Sequence, residues 1–167
     1  MTPPVTLRDA TLSDLPAFET IYTPYVLGSD CTLQLEPTTP AERRTWFEAL
    51  RAEGLPVLVA EREGEVVGFG ALVRFNTRGG YRFTVEDSLY LRADACGLGL
   101  GKRLLDALLL HARNLAMHTC IAKITARQEQ SLRLHRSRGF VEVGRLTEVG
   151  FKLGSWVDVV LLQKRLG

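Results

Sequence analysis

The chain has 167 residues, 46% apolar and 24% charged, with a net charge of +2. That length suits one domain, residues 1–167, with a real core, and that charge is too small to indicate nucleic acid as a partner. No window approaches the roughly 18 apolar residues of a membrane helix, and the opening MTPPVTLRDATLSD carries no basic-then-apolar signal pattern.

Val5 to Asp9 alternates as a short strand. The stretch from Ala10 to Asp14 supplies caps for an amphipathic helix running toward Tyr25, which Pro24 ends or bends. GSDCTLQLEPTTP is irregular and polar, a loop long enough to carry function. Thr39, Pro40 and Glu42 read as N-cap, N1 proline and acidic first turn of a helix to about Ala52. PVLVAERE and EVVGFGALVRF form a hairpin about Glu63-Gly64, and YRFTVEDSLYL is a third strand. A helix from Gly99 to about Met117 places Leu100, Leu104, Leu105, Leu108, Leu109 and Ala112 on one stripe. CIAKITA is a strand, and EQSLRLHRSRGF a short helix closed by Gly139. FVEVGRL and WVDVVLLQKRL are the last strands, separated by a glycine-bearing segment from Thr147 to Ser155. The order is mixed α/β, with room for one parallel crossover between residues 81 and 126. The three cysteines, Cys31, Cys96 and Cys120, match neither a disulfide framework nor a zinc spacing, so a cytoplasmic setting and no metal are expected.

The segment CGLGLGKRLL runs three glycines into a helix, the pattern of a main-chain anion cradle. It is not a P-loop: Cys96 stands at the first glycine position and Arg103 at the metal-binding hydroxyl. Nor does Gly97, Gly99 and Gly101 spacing match a dinucleotide fingerprint. Lys102 and Arg103 oppose the helix dipole at a cost of about 0.3–1 kcal/mol, which a bound phosphate would offset. Read alone, the loop is also compatible with a plain strand-to-helix turn bearing a solvated Lys-Arg pair.

LYLRADACGLGLGKRLLDALLLHAR resembles the acetyl-CoA-binding segment of GNAT-type N-acetyltransferases, with Cys96 at a Gln/Arg position and Gly99 and Gly101 at the consensus glycines. YRFTVEDSLYL, SLRLHRSRGF, VGFKLGSWVDVVLLQ and LEPTTP look like the phosphinothricin and methionine-sulfoximine acetyltransferases within that family. The resemblance implies a GNAT fold: a mixed, mostly antiparallel sheet of about seven strands, a splayed parallel pair and about four helices. It also implies acetyl-CoA as co-substrate, a small amine as acceptor and a homodimer. The coenzyme wall implied comprises Leu89, Tyr90, Leu91, Cys96, Gly97, Leu98, Gly99, Leu100, Gly101, Lys102, Gln128 and Ser131, with Ser131 also as a helix cap. Gln128 stands where the family usually has an asparagine.

Strict alternation along the third strand puts Tyr81, Phe83, Val85, Leu89 and Leu91 on one face and Thr84, Glu86, Ser88 and Tyr90 on the other. Asp87 then falls on the apolar face unless a bulge intervenes. Glu86 is the candidate general base, its pKa expected to rise in an apolar cleft. His135 occupies the helical position of the family's thiolate-protonating tyrosine, so that role is assigned to it by resemblance only; packing is the alternative. For an amino-acid-like acceptor, Arg78, Tyr81, Thr84, Lys152 and Trp156 are the substrate candidates, as cations and aromatic walls. The competing readings are protein N-terminal or lysine acetylation and a silent coenzyme-binding module.

Overall fold

A computed structural model describes residues 4–167; the Met1-Thr2-Pro3 start of the N-terminal reading lies outside the described residues. The elements run β1 (Val5–Asp9), α1 (Leu15–Gly28), α2 (Pro40–Ala52), β2 (Val57–Arg62), β3 (Glu65–Arg74), β4 (Thr84–Leu91), α3 (Leu100–Asn114), β5 (Thr119–Thr125), α4 (Glu129–Ser137), β6 (Val141–Lys152) and β7 (Ser155–Arg165). They build a seven-stranded sheet ordered β1-β2-β3-β4-β5-β7-β6. All neighbours are antiparallel except β4 and β5. This is the GNAT architecture expected: a mixed sheet with a parallel pair and four α-helices.

Side-chain alternation on β3 divides the two layers. Phe69 stacks on Phe18 of α1 at 4.2 Å. Its neighbours Gly68 and Gly70 face α3, where an added Cβ at Gly70 would lie 3.1 Å from Leu108. The glycines therefore let α3 lie close on the sheet. The stripe Leu100, Leu104, Leu105, Leu108, Leu109 and Ala112 of α3 is fully buried, as its 3.6-residue spacing requires. Burial of each large side chain contributes about 1.5–3 kcal/mol. At α2, Thr39 Oγ1 accepts from the Glu42 N–H while Glu42 accepts from the Thr39 N–H, a complete capping box.

Several boundaries differ from expectation. Helix α1 continues through Pro24 to Gly28. Strand β4 begins at Thr84, because Gly79–Tyr81 forms a 3-10 turn that leaves Tyr81 and Phe83 exposed. The segment from 147 to 152 is strand, not loop: β6 runs to Lys152 and turns at Leu153-Gly154, with register shifts at Glu142/Gly144 and Leu146/Gly150. No bulge interrupts β4, whose pairing with β3 is continuous from Val85 to Leu91. Asp87 therefore does fall on the apolar face, where it is buried.

Candidate active site

Strands β4 and β5 pair only at Thr84↔Thr119, Val85↔Cys120 and Glu86↔Ile121. Beyond Glu86 they part, and from Asp87 to Leu91 β4 has a strand partner on its β3 edge alone. The gap opens into a cavity of about 390 Å³. It is lined by Glu86, Asp87, Ser88, Leu89, Tyr90 and Leu91 of β4, Ala122, Lys123 and Ile124 of β5, and Gln128, Ser131, Leu134 and His135 along α4. Cys96, Gly97, Gly99, Leu100, Gly101 and Lys102 close its far end.

The glycine segment is shaped as an anion cradle. Gly97 and Gly99 have φ of 77° and 76°, the left-handed region that favours glycine. Gly99 is the N-cap of α3 and no side chain caps that helix, so its first-turn N–H groups stay open toward the cavity. These donors, with Lys102, fit a pyrophosphate. Arg103 does not join them, since its Nη2 donates to the Val5 carbonyl at 2.8 Å. Leu98 is exposed and lies outside the cavity wall. Gly101 is closed by protein: a Cβ there would lie 3.3 Å from Leu134 and 3.7 Å from Leu89 and Leu91. Ser131 lies inside α4 and does not cap it. The Gln128 amide donates to Asp30 at 2.7 Å.

Glu86 sits at the mouth of the gap, 22% exposed, with Oε2 2.8 Å from Lys123 Nζ. The apolar cleft expected around Glu86 thus holds a cation beside it. Sequence reading missed Lys123: alternation puts it on the face of Ile121, but only the tertiary register makes Ile121 the ladder partner of Glu86. His135 is buried, with Nδ1 2.8 Å from the Ser131 carbonyl and Nε2 2.9 Å from Asp87 Oδ2. Burial works against the charged ring, but the hydrogen bond and charge of Asp87 outweigh it and raise the imidazole pKa. Both ring nitrogens are engaged, so His135 presents no N–H to the cavity. Tyr25 donates to the Leu91 carbonyl, and burial raises its phenol pKa, as it does that of Tyr90.

A second cavity of about 440 Å³ lies under the loop after α1, lined by Tyr22, Gln34, Thr38, Arg43, Trp46 and Phe69 among others. Ser88 and Tyr90 line both cavities. They share the β4 face of Glu86, which points toward α1: the Tyr90 ring meets those of Tyr22 at 4.7 Å and Tyr25 at 5.7 Å. The substrate candidates Arg78, Tyr81, Thr84, Lys152 and Trp156 line neither cavity. Lys152 has a different task. It is buried, and its ammonium donates to the carbonyls of Tyr25 and Thr32 at 3.3 and 2.7 Å. Tyr81 packs on Phe75, and Trp156 on Phe151 at the exposed hairpin.

Residues 18–140 match the family described as acetyltransferase (GNAT) family. The chain is 38% identical over 161 residues to an L-methionine sulfoximine/L-methionine sulfone acetyltransferase of Pseudomonas paraeruginosa, covering 96% of this chain and 94% of that one. It is 38% identical over 162 residues to a phosphinothricin N-acetyltransferase of Alcaligenes faecalis, covering 96% and 82%. A phosphinothricin acetyltransferase from Sinorhizobium meliloti, solved in complex with acetyl-CoA, superposes with a TM-score of 0.96 at 39% identity, covering 100% of this chain and 90% of that one. With the parted parallel strands and the uncapped glycine-led helix, these matches make the chain a member of the GNAT acetyltransferase family, an N-acetyltransferase whose acyl donor is acetyl-CoA.

Proposed function

We propose that residues 1–167 act as one cytoplasmic N-acetyltransferase domain whose acceptor is the amino group of a small amino-acid-like compound, of the phosphinothricin or methionine sulfoximine type. The observation that carries this reading is a single cleft with an open helix N-terminus at one end and Glu86 at the other. Acetyl-CoA supplies an activated acetyl thioester. The α3 N–H groups and Lys102 bind its pyrophosphate. Main-chain groups of Leu89 and the Leu91 N–H, without a strand partner on the β5 side, hold the pantetheine and polarise the carbonyl, while the Tyr90 main chain is turned to β3. The amine enters from the Ser88–Tyr90 side, where the two cavities meet. Glu86 takes its proton directly or through water, because an aliphatic ammonium is not a nucleophile at neutral pH. The free amine then attacks the thioester carbonyl directly and the C–S bond breaks. The nitrogen gives up its surplus proton to water, and the leaving thiolate takes one from water or a neighbouring hydroxyl, since His135 has both nitrogens engaged. Arg78 and Tyr81 on the turn before β4, and Thr84 at its start, line neither cavity; their proposed role is confined to the approach to Glu86.

The β6–β7 hairpin supports a homodimer. Val143, Leu146, Val149, Phe151, Leu153 and Trp156 are all exposed there, an apolar strip that a second copy would cover. Sedimentation at several concentrations tests this, and a monomer throughout would reject it. The function is tested by thiol release from acetyl-CoA across sulfoximines, phosphinothricin, amino acids, polyamines and peptides. Turnover confined to peptides would replace the small-molecule reading with protein acetylation. Coenzyme binding with no turnover on any amine would leave a silent module.

A further inference from the structure

Helix α4 forms one wall of the coenzyme cavity and follows β5 in the chain. It has nine residues, too few to persist as a helix alone. Its buried side chains are Leu132 and His135, so one of its two anchors is an imidazole. That ring meets an oxygen at each end: the Ser131 carbonyl one turn back at 2.8 Å, and Asp87 Oδ2 at 2.9 Å. A carbonyl oxygen and an ionised carboxylate both accept only. The two contacts are satisfied together when the ring is doubly protonated against ionised Asp87, or singly protonated against a protonated Asp87. Either way the pair holds one proton more than a neutral imidazole beside a carboxylate. The other carboxylate oxygen accepts from Cys120 Sγ at 3.6 Å. Burial pushes that thiol far above its ordinary range, so it remains a donor. Asp87 is the residue after Glu86, where β4 leaves β5.

We propose that Asp87 is a positioning residue for the coenzyme: acting through His135, it seats α4 against β4 where the strands part, and it does so only while the pair holds its proton. Loss of that proton leaves one hydrogen between two acceptors. One contact turns repulsive, and the wall bearing Ser131 and Leu134 loosens. Among the described residues, Asp87 is the carboxylate in contact with the ring. The titratable groups beside the pair are the neutral Cys120 of β5 and Glu86 of β4, which Lys123 of β5 meets at 2.8 Å. Phe140 brings an uncharged ring 5.1 Å from that of His135. The same burial keeps the seat closed to water, with side-chain exposures of 4% for His135 and 2% for Asp87.

Calorimetric titration of CoA into parent and Asp87→Asn, at intervals from about pH 6 to about pH 9, tests this. Asparagine turns its Nδ2–H to Nε2 of a neutral ring and accepts from Cys120 through Oδ1, so both ring contacts are met without the extra proton. The parent Kd rises by about tenfold toward the alkaline end. The variant matches the parent at the acid end and keeps that Kd across the range. The KM for acetyl-CoA follows Kd, while kcat at saturation moves far less. A variant equal to the parent at every pH, or weaker by one factor throughout, overturns the proposal, as does a fall in kcat with unchanged Kd. If the variant does not fold, nitrogen NMR of the His135 ring in the parent decides. By linkage, CoA must raise the pH at which the ring loses its proton; a midpoint that CoA leaves in place overturns the proposal equally.

Discussion

Glu86 and Lys123 face each other across the mouth of the strand gap, Oε2 to Nζ at 2.8 Å, one from each of the two parting strands. The candidate base and its cation are thus brought together only where the parallel ladder ends. Both are partly exposed, at 22% and 43%, so the pair adds little to stability and its effect belongs to the chemistry.

Glu86→Gln should lower turnover by about 10²–10⁴-fold at neutral pH, the usual worth of a positioned base. CoA affinity should hardly change, since the pyrophosphate cradle lies at the other end of the cavity. Partial rescue is expected at high pH, where the amine arrives deprotonated. Parental turnover in this variant at neutral pH would remove Glu86 from the mechanism.

Lys123→Met should leave the fold intact, because its side chain is 43% exposed. Without the ammonium, Glu86 loses the partner that holds Oε2 at the mouth of the gap, so kcat/KM for the amine should fall while CoA affinity holds. Steady-state kinetics of parent and variant with one amine, beside CoA titrations, measure this; an unchanged kcat/KM rejects the coupling.

Gly99 and Gly101 should respond differently. Gly99→Ala meets no atom within 4 Å but forces a side chain onto φ 76°, a strain of about 1–2 kcal/mol at the cradle. Its main readout is weaker CoA binding. Gly101→Val presses on Leu134, Leu89 and Leu91, so its unfolding midpoint should fall along with CoA affinity. Thermal melts beside CoA titrations separate the two; a Gly101→Val protein as stable as the parent contradicts the packing assigned to it.

Lys152→Met should lower stability by about 1–3 kcal/mol, by leaving the Tyr25 and Thr32 carbonyls without their charged donor. It should not change the preference for an amino acid over its amide. If that preference collapses while the melt is unchanged, Lys152 holds the substrate carboxylate after all.

The Asp87–His135 pair also sets a pH dependence of stability. The imidazole pKa is raised in the folded chain, so the folded state binds the proton more tightly than the unfolded one. Its stabilisation is full below the unfolded value of about 6.5 and is lost as pH rises through the folded value. Denaturant melts should therefore show stability declining on the alkaline side of about pH 6.5, with a smaller decline in Asp87→Asn.

The sequence by itself determined much of the local structure. The Thr39 cap of α2, the Glu63-Gly64 turn and the leucine stripe of α3 rest on contacts within a few residues, and all formed where the chain spacing put them. Similarity across nearly the whole chain likewise made the family and its acyl donor legible. What lies across the sheet was decided only by tertiary structure. No local pattern says that β4 leaves β5 at Glu86, because strand pairing joins residues some 35 positions apart, 86 and 121. Nor does one say that adjacent acids divide, Glu86 to Lys123 at the mouth and Asp87 to His135 behind it. Alternation sends neighbouring side chains to opposite faces, but only the packed sheet decides what each face meets. The same reason misplaced Lys152, whose charge reads as a free cation in sequence and is used up by two carbonyls 120 and 127 residues away.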